Sequence, residues 1–292
     1  MAELEYTFKN DTLFKMVFTK RPDLLKNLVA QLLKIQVESI ENLVVVNSEM
    51  PPEELGKKFC RLDINMTVDG RLVDLEIQVE DEGDYPERTL YYWAREYSCA
   101  LNKGVDFIDL PRTIIISITA FNLFDCDDFH SEFRALEVTR HTELTDRMSL
   151  HYFELPKVPK VISKTDMLRL WLTLFKANTE EELADLEELG VPVMKEAIGT
   201  YRQVSATEEF RQLERLRERT RNNEAAALGH ARRLGIAEGI AKGEAKGRAK
   251  GRAEGKAEGI AEGEAKTLTA IEELIKQGVT DPIEILKKIK SV

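Results

Sequence analysis

The alternation of apolar and polar positions is sharpest in RLDINMTVDGRLVDLEIQVE, residues 61–80. Two period-two runs flank Asp69-Gly70, the dipeptide best suited to a two-residue type I′ turn, so the stretch predicts a β-hairpin. With that turn Val68 pairs with Arg71, and every cross-strand pair sums to 139. Ile64 then faces Leu75 and Leu62 faces Ile77 on an apolar face. Asn65 faces Asp74, Asp63 faces Glu76 and Arg61 faces Gln78 on the other. Like charges directly opposite one another destabilise a sheet. The pairing of Asp63 with Glu76 therefore needs another reason.

The same reading extends along the chain. TLFKMVF after Asn10-Asp11 begins an amphipathic helix, and residues 22–34 form a clearer one with Pro at its first position. SIENLVVVN (39–47) reads as a strand and MPPEELG as a turn. Residues 86–104 read as a helix bounded by Pro86 and Gly104. RTIIISITAF (112–121) is a β-branched run that suits a strand buried on both faces. HSEFRALEV and SLHYFELPK (149–157) predict further strands. This order gives an α/β fold, a mixed sheet flanked by helices, ending near residue 160.

Residues 161–230 are expected to form a helical extension, with Trp171 at core spacing in 165–177 and a charged amphipathic helix at 207–226. A repeat helix (231–266) and a C-terminal helical hairpin (267–292) follow. In the repeat, glycine recurs every fourth residue from Gly235 to Gly263, with alanine midway. Four residues advance about 400° in an α-helix, so the glycine stripe drifts about 40° per repeat. Each glycine costs about 1 kcal/mol relative to alanine, roughly 8 kcal/mol in all. Either the segment is a spacer of frayed helix, or its small residues permit close approach to a partner helix. Glu238, Lys242, Lys246 and Lys250 would meet Lys266, Glu262, Glu258 and Glu254 in a second, antiparallel copy centred on Arg252. That pattern predicts a homodimer through the C-terminal repeat.

Composition narrows the functional classes. The chain has 292 residues, 43% hydrophobic and 32% charged, enough for a real core in a soluble protein. No apolar run approaches a membrane span, and MAELEYTFKND lacks the apolar core of a signal peptide. Cys60, Cys99 and Cys126 are scattered, which suggests neither disulfides nor zinc and makes the cytoplasm the expected location. His130, His141 and His151 are far apart in sequence and read as structural or surface residues. The net charge of −10 resides in residues 1–160, with 19 basic against 29 acidic side chains, while the remainder balances at 23 against 23. Bulk charge does not advertise a nucleic-acid partner, so any such site must rest on a local basic patch or a metal.

The acidic hairpin face is either an ordinary solvated face or a half-buried carboxylate pair. A buried pair must take up a proton or bind a cation, and Mg2+ suits it, as a hard ion held by one or two carboxylates. Asp63 on one strand and Glu76-Ile77-Gln78 on the next resemble the PD-(D/E)XK nuclease motif, with Gln in place of Lys. The flanking NDTLFKMVF (10–18), ERTLYYWAREY (87–97), LPRTIIISITAFNLF (110–124) and LTDRMSLHYFELPK (144–157) accompany it. Together with the glycine-period tail they are similar to the Rpn family of recombination-promoting nucleases, also described as transposases.

The resemblance implies a restriction-endonuclease-like core and Mg2+-dependent (or Mn2+-dependent) cleavage of DNA, in recombination or against foreign or mobile DNA. It implies Asp63 and Glu76 as metal ligands, with the Ile77 carbonyl as a third, and Gln78 orienting water or contacting phosphate. Gln78 is neutral and cannot stabilise charge as the usual lysine does. Asp11 is a candidate additional acid or a helix N-cap. Arg88 either contacts phosphate or pairs with an active-site acid, and Tyr92 is read as packing. The rival readings are a catalytically silent DNA-binding or regulatory protein of the same fold, and a self-assembly module.

Overall fold

Asp69 and Gly70 both take positive φ, 47° and 78°, as a type I′ turn demands. The computed structural model describes residues 2–46, 49–50, 60–61, 64–101, 106–160 and 163–289. The turn joins β4 (Ile64–Val68) to β5 (Arg71–Gln78) in the expected register, from Val68↔Arg71 to Ile64↔Leu75. Leu62 and Asp63 lie outside the described residues. Arg61, expected opposite Gln78, pairs with Glu49 in a short ribbon of β2 (Glu49–Met50) and β3 (Cys60–Arg61).

The hairpin lies within a six-stranded sheet of order β1-β4-β5-β6-β8-β7, with β1 at Leu43–Val46, β6 at Thr113–Thr119, β7 at His130–Phe133 and β8 at Met148–Glu154. The ladders β1–β4–β5 and β8–β7 are antiparallel, whereas β5–β6–β8 is parallel. The β-branched run of β6 is buried at every position, as a strand covered on both faces should be.

One face of the sheet carries the main core. Met66, Val73, Leu75, Ile77, Ile116 and Phe153 pack with residues of α1 (Asp11–Lys20), α2 (Pro22–Leu32) and α4 (Met167–Lys176). Trp171 is fully buried there, and its indole N–H donates to Asn27 Oδ1 at 2.9 Å. The opposite face is covered by α3 (Tyr85–Cys99), through a smaller cluster of Tyr85, Ile115, Leu150 and Tyr152.

Two helices, α5 (Glu180–Glu188) and α6 (Pro192–Ser205), lie within the stretch expected to be helical, without having been delimited from sequence. Their signals were local: Thr179 and Glu182 form a capping box, and Pro192 opens α6. Both contribute to the main core through Leu183, Leu186, Met194 and Ile198.

The chain divides into two units, Met1–Leu216 and Arg217–Val292. The glycine repeat is continuous α-helix, part of α7 (Glu208–Lys276), and every residue from 235 to 266 is exposed. Alanine and long straight side chains between the glycines favour helix. The ion pairs Glu238–Lys242 (3.4 Å), Glu244–Arg248 (3.3 Å) and Lys250–Glu254 (3.6 Å) add a few tenths of a kcal/mol each. The helix stops at Gly278, φ 87°, where the N–H of Val279 donates to Leu274 O at 3.1 Å, and α8 (Pro282–Ile289) follows.

A Cβ built at any repeat glycine meets nothing within 4 Å. Replacing Gly247, Gly251 and Gly255 with Ala in the full chain is therefore expected to stabilise this helix by about 1 kcal/mol per site. Thermal melting followed by circular dichroism at the helix band would show it, and an unchanged helix signal would contradict the propensity argument.

Candidate active site

The polar face of the hairpin is not solvated. Alternation along β5 turns Asp74 and Glu76 toward the same side, and they are 1% and 7% exposed. Asn65, opposite Asp74 on β4, is buried with them. The cover is α3, whose residues 85, 89, 92 and 96 fall on one helical face.

Side-chain hydrogen bonds join the two layers. The Tyr85 hydroxyl, fully buried, donates to Glu76 Oε2 at 3.4 Å. The Asn65 amide donates to Glu96 Oε1 at 2.7 Å. Thr89 and Tyr152 share a hydrogen bond between their hydroxyls. Glu76 is also flanked within the sheet, since its ladder partner on β6 is the buried Ser117.

The electrostatics follow from this burial. Loss of solvent pushes the Tyr85 phenol well above its usual range, and the neighbouring Glu76 carboxylate adds to the shift. Burial likewise raises the Glu96 carboxyl, against the opposing pull of the Asn65 hydrogen bond and Arg95. Arg88 sits over the Tyr85 ring, its Cζ 4.9 Å from the centroid, and its Nη1 donates to Glu82 at 2.7 Å.

The structure distributes the sequence-derived candidates unevenly. Glu76 lies at the centre of the site, while Asp63 falls outside the described residues. Ile77 turns its side chain into the main core, so it can serve the other face only through its backbone. The Gln78 amide donates to Glu80 O at 2.8 Å. Asp11 occupies the first turn of α1, where Asn10 is the cap and accepts from the Leu13 N–H at 2.9 Å. The apolar side of α1 packs into the core on the face opposite Glu76. Tyr92 lies beside Tyr91, ring centroids 6.2 Å apart.

Three participants were not singled out from sequence. Asp74 was detectable, since it precedes Glu76 by two residues and shares its face. Tyr85 and Glu96 were not, because their roles depend on where α3 packs.

The sequence profile described as PD-(D/E)XK nuclease family transposase matches residues 8–231. This chain belongs to that family. The match takes in the whole sheet, α3 and the helices through α6. Searches of curated proteins and of solved structures each returned no match.

PD-(D/E)XK nucleases generally use a divalent metal, and the chemistry of this donor set suits one. Asp74 and Glu76 are hard oxygen donors removed from bulk water on one face of a central strand. Among the described residues no group of three or more His, Cys, Asp or Glu side chains is arranged as a metal site. No helix among them is long and apolar enough to cross a membrane.

In this nuclease-family chain a second polar cluster lies on the other face, at the β7 edge. Sequence distance gave no hint of it, because β7–β8 pairing makes neighbours of residues 21 apart. His130 Nε2 and His151 Nδ1 are 3.1 Å apart, and Ser149 Oγ is 2.8 Å from His151 Nε2. Glu132 approaches the same ring, paired with Arg134. Burial, together with His130, Arg112 and Arg134, depresses His151 to about 4 despite Glu132.

A depressed histidine is neutral in the folded chain where the unfolded chain would already bind a proton. Stability is therefore expected to fall as pH drops from about 6.5 toward 4, by on the order of 2 kcal/mol at pH 5. Urea unfolding between pH 7.5 and 4.5 measures this, and His151→Gln should flatten the dependence. An equally steep profile in that variant would assign the effect elsewhere.

Proposed function

We propose that the chain is a Mg2+-dependent DNA endonuclease, with Mn2+ as an alternative ion, acting in recombination or on foreign or mobile DNA. The observation that carries this reading is the buried Glu76, held under α3 by Tyr85 on the central strand of a nuclease-family sheet. A carboxylate in that position gains most from a cation, because both desolvation and its acidic neighbour Asp74 oppose its charge.

Glu76 and Asp63, the two acids of the motif, would hold the ion. The Ile77 carbonyl would supply a further oxygen, with Asp74 in reserve on the same face. When bound, the ion supplies Lewis acidity at the scissile phosphate and makes water easier to deprotonate. The protein's own part is to position: Tyr85 fixes the Glu76 carboxylate, and Gln78 orients water or phosphate from the next outward position of β5.

Supercoiled plasmid with Mg2+ or Mn2+ is expected to be nicked by the wild type, and chelation should stop it. Glu76→Gln and Asp63→Ala should each lower turnover by at least about 100-fold while leaving the fold intact. Asp11→Ala in the same series tests the acid on the first helix. Wild-type activity in Glu76→Gln would remove this site from the mechanism. A gel shift without cleavage would favour the silent DNA-binding reading, which the engagement of Gln78 with Glu80 supports.

We further propose that two chains associate through residues 235–266, antiparallel about Arg252. The exposure of this whole segment and its self-complementary charges support the reading. Exposed pairs contribute at most about 1 kcal/mol each, so close packing over glycine must supply the remainder. Lys246→Glu should weaken association in sedimentation, and adding Glu258→Lys should restore it. A single variant that associates like the wild type would exclude this register.

A further inference from the structure

We propose that Arg88 is the cationic residue of the cleavage site, placed on α3 in the role that Gln78 on β5 cannot fill. This rests on the nuclease reading above and adds to it the group that meets the phosphate. Gln78 is neutral, and its amide nitrogen already donates to Glu80 O at 2.8 Å. Arg88 lies one helical turn from Tyr85 on α3, and the Glu76 charge bears on it.

The geometry links Arg88 to the acid in two steps. Tyr85 donates to Glu76 Oε2 at 3.4 Å, and the Arg88 guanidinium lies over that same ring, 4.9 Å from its centroid. The Arg88 side chain is 24% exposed, so it borders solvent while most of it is covered. Its Nε is buried with no hydrogen-bond acceptor among the described residues. Its one ion-pair partner among them, Glu82, is 59% exposed and precedes α3 in the connecting loop. An exposed carboxylate is a weak competitor for a guanidinium that meets a phosphate, which accepts two parallel N–H bonds. Arg95, two turns further along α3, is buried, and its charge bears on Glu96.

Electrostatics agree with the placement. Burial lowers the Arg88 pKa, yet Tyr92, Glu76, Glu82 and Tyr85 outweigh it and hold the guanidinium protonated. A permanently protonated group cannot act as the base, so Arg88 transfers no proton. Its role is to hold the scissile phosphate and offset the charge that builds on its oxygens. Water loses a proton to solvent and forms one P–O bond, the bond to the leaving sugar oxygen breaks, and that oxygen takes a proton from solvent. Arginine on the cover helix then supplies what lysine supplies on the strand in the commoner form of the motif.

The test compares wild type, Arg88→Met, Arg88→Lys, Gln78→Lys and the Arg88→Met/Gln78→Lys double variant. Plasmid cleavage is measured in Mg2+, binding of a labelled duplex oligonucleotide in Ca2+, and Mn2+ affinity by calorimetry. Arg88→Met should lose about 100-fold or more in turnover and bind the oligonucleotide more weakly, while retaining Mn2+ affinity. Arg88→Lys should keep part of the activity, and it serves where the Met variant folds poorly. Adding Gln78→Lys to Arg88→Met should restore at least tenfold, since the charge returns to the same phosphate from the strand.

Turnover and oligonucleotide affinity unchanged in Arg88→Met would overturn the assignment while leaving the nuclease reading intact. Loss of Mn2+ affinity in both Arg88 variants would also overturn it, reducing Arg88 to a support for the acid. A wild type that neither cleaves nor binds the oligonucleotide would remove the nuclease reading, and Arg88's role with it.

Discussion

The two-residue turn at Asp69-Gly70 fixes a register on which the rest of the sheet depends. Side chains alternate with period two, so a slip of one residue would exchange the faces of β4 or β5 completely. Asp74 and Glu76 would then enter the apolar core, and Leu75 and Ile77 would lie against the polar side of α3. Burying unpaired carboxylates among Phe14, Phe18 and Trp171 is far more costly than any hairpin can offset. The turn is held from a third side as well, since Asp69 Oδ1 accepts from the N–H groups of Glu41 (3.1 Å) and Asn42 (2.8 Å).

That register separates stability from chemistry. The face toward α1, α2 and α4 is apolar over most of its area and supplies the cohesion of the first unit. The face toward α3 accepts Asp74, Glu76, Asn65 and Glu96 out of solvent, each of which opposes folding unless it is hydrogen-bonded or binds a cation. One sheet can carry both because β5 is interior. It is hydrogen-bonded on both edges, so its polar side chains cannot swing out by bending an edge strand away. The same rigidity suits a site whose ligands must hold their positions.

The cover helix works through its periodicity. Tyr85, Thr89, Tyr92 and Glu96 recur at helical spacing and address the sheet, with Arg88 at the margin of that face. The shared hydroxyl contact of Thr89 with Tyr152, and the Trp93 N–H on Thr113 O at 3.1 Å, tie the helix to β8 and β6. A displacement of α3 would alter every electrostatic environment in the site together. Packing and electrostatics on this face are therefore coupled through one element.

Much of this was legible in the sequence, and the reason is locality. The hairpin register, the doubly buried β6, the helix at α3 and the core role of Trp171 all follow from patterns within about 20 residues. The capping box at Thr179 is equally local. What the sequence could not give was any relation that depends on strand order or helix placement. Arg61 pairs with Glu49 rather than with Gln78, and His130 stacks on His151, because the ladder brings them together. The sequence determined that two acids, Asp74 and Glu76, lie on one face of a strand. Only the tertiary structure decided that this face is closed by Tyr85 and bordered by Arg88, since desolvation depends on what packs above a residue and periodicity records only which way it points.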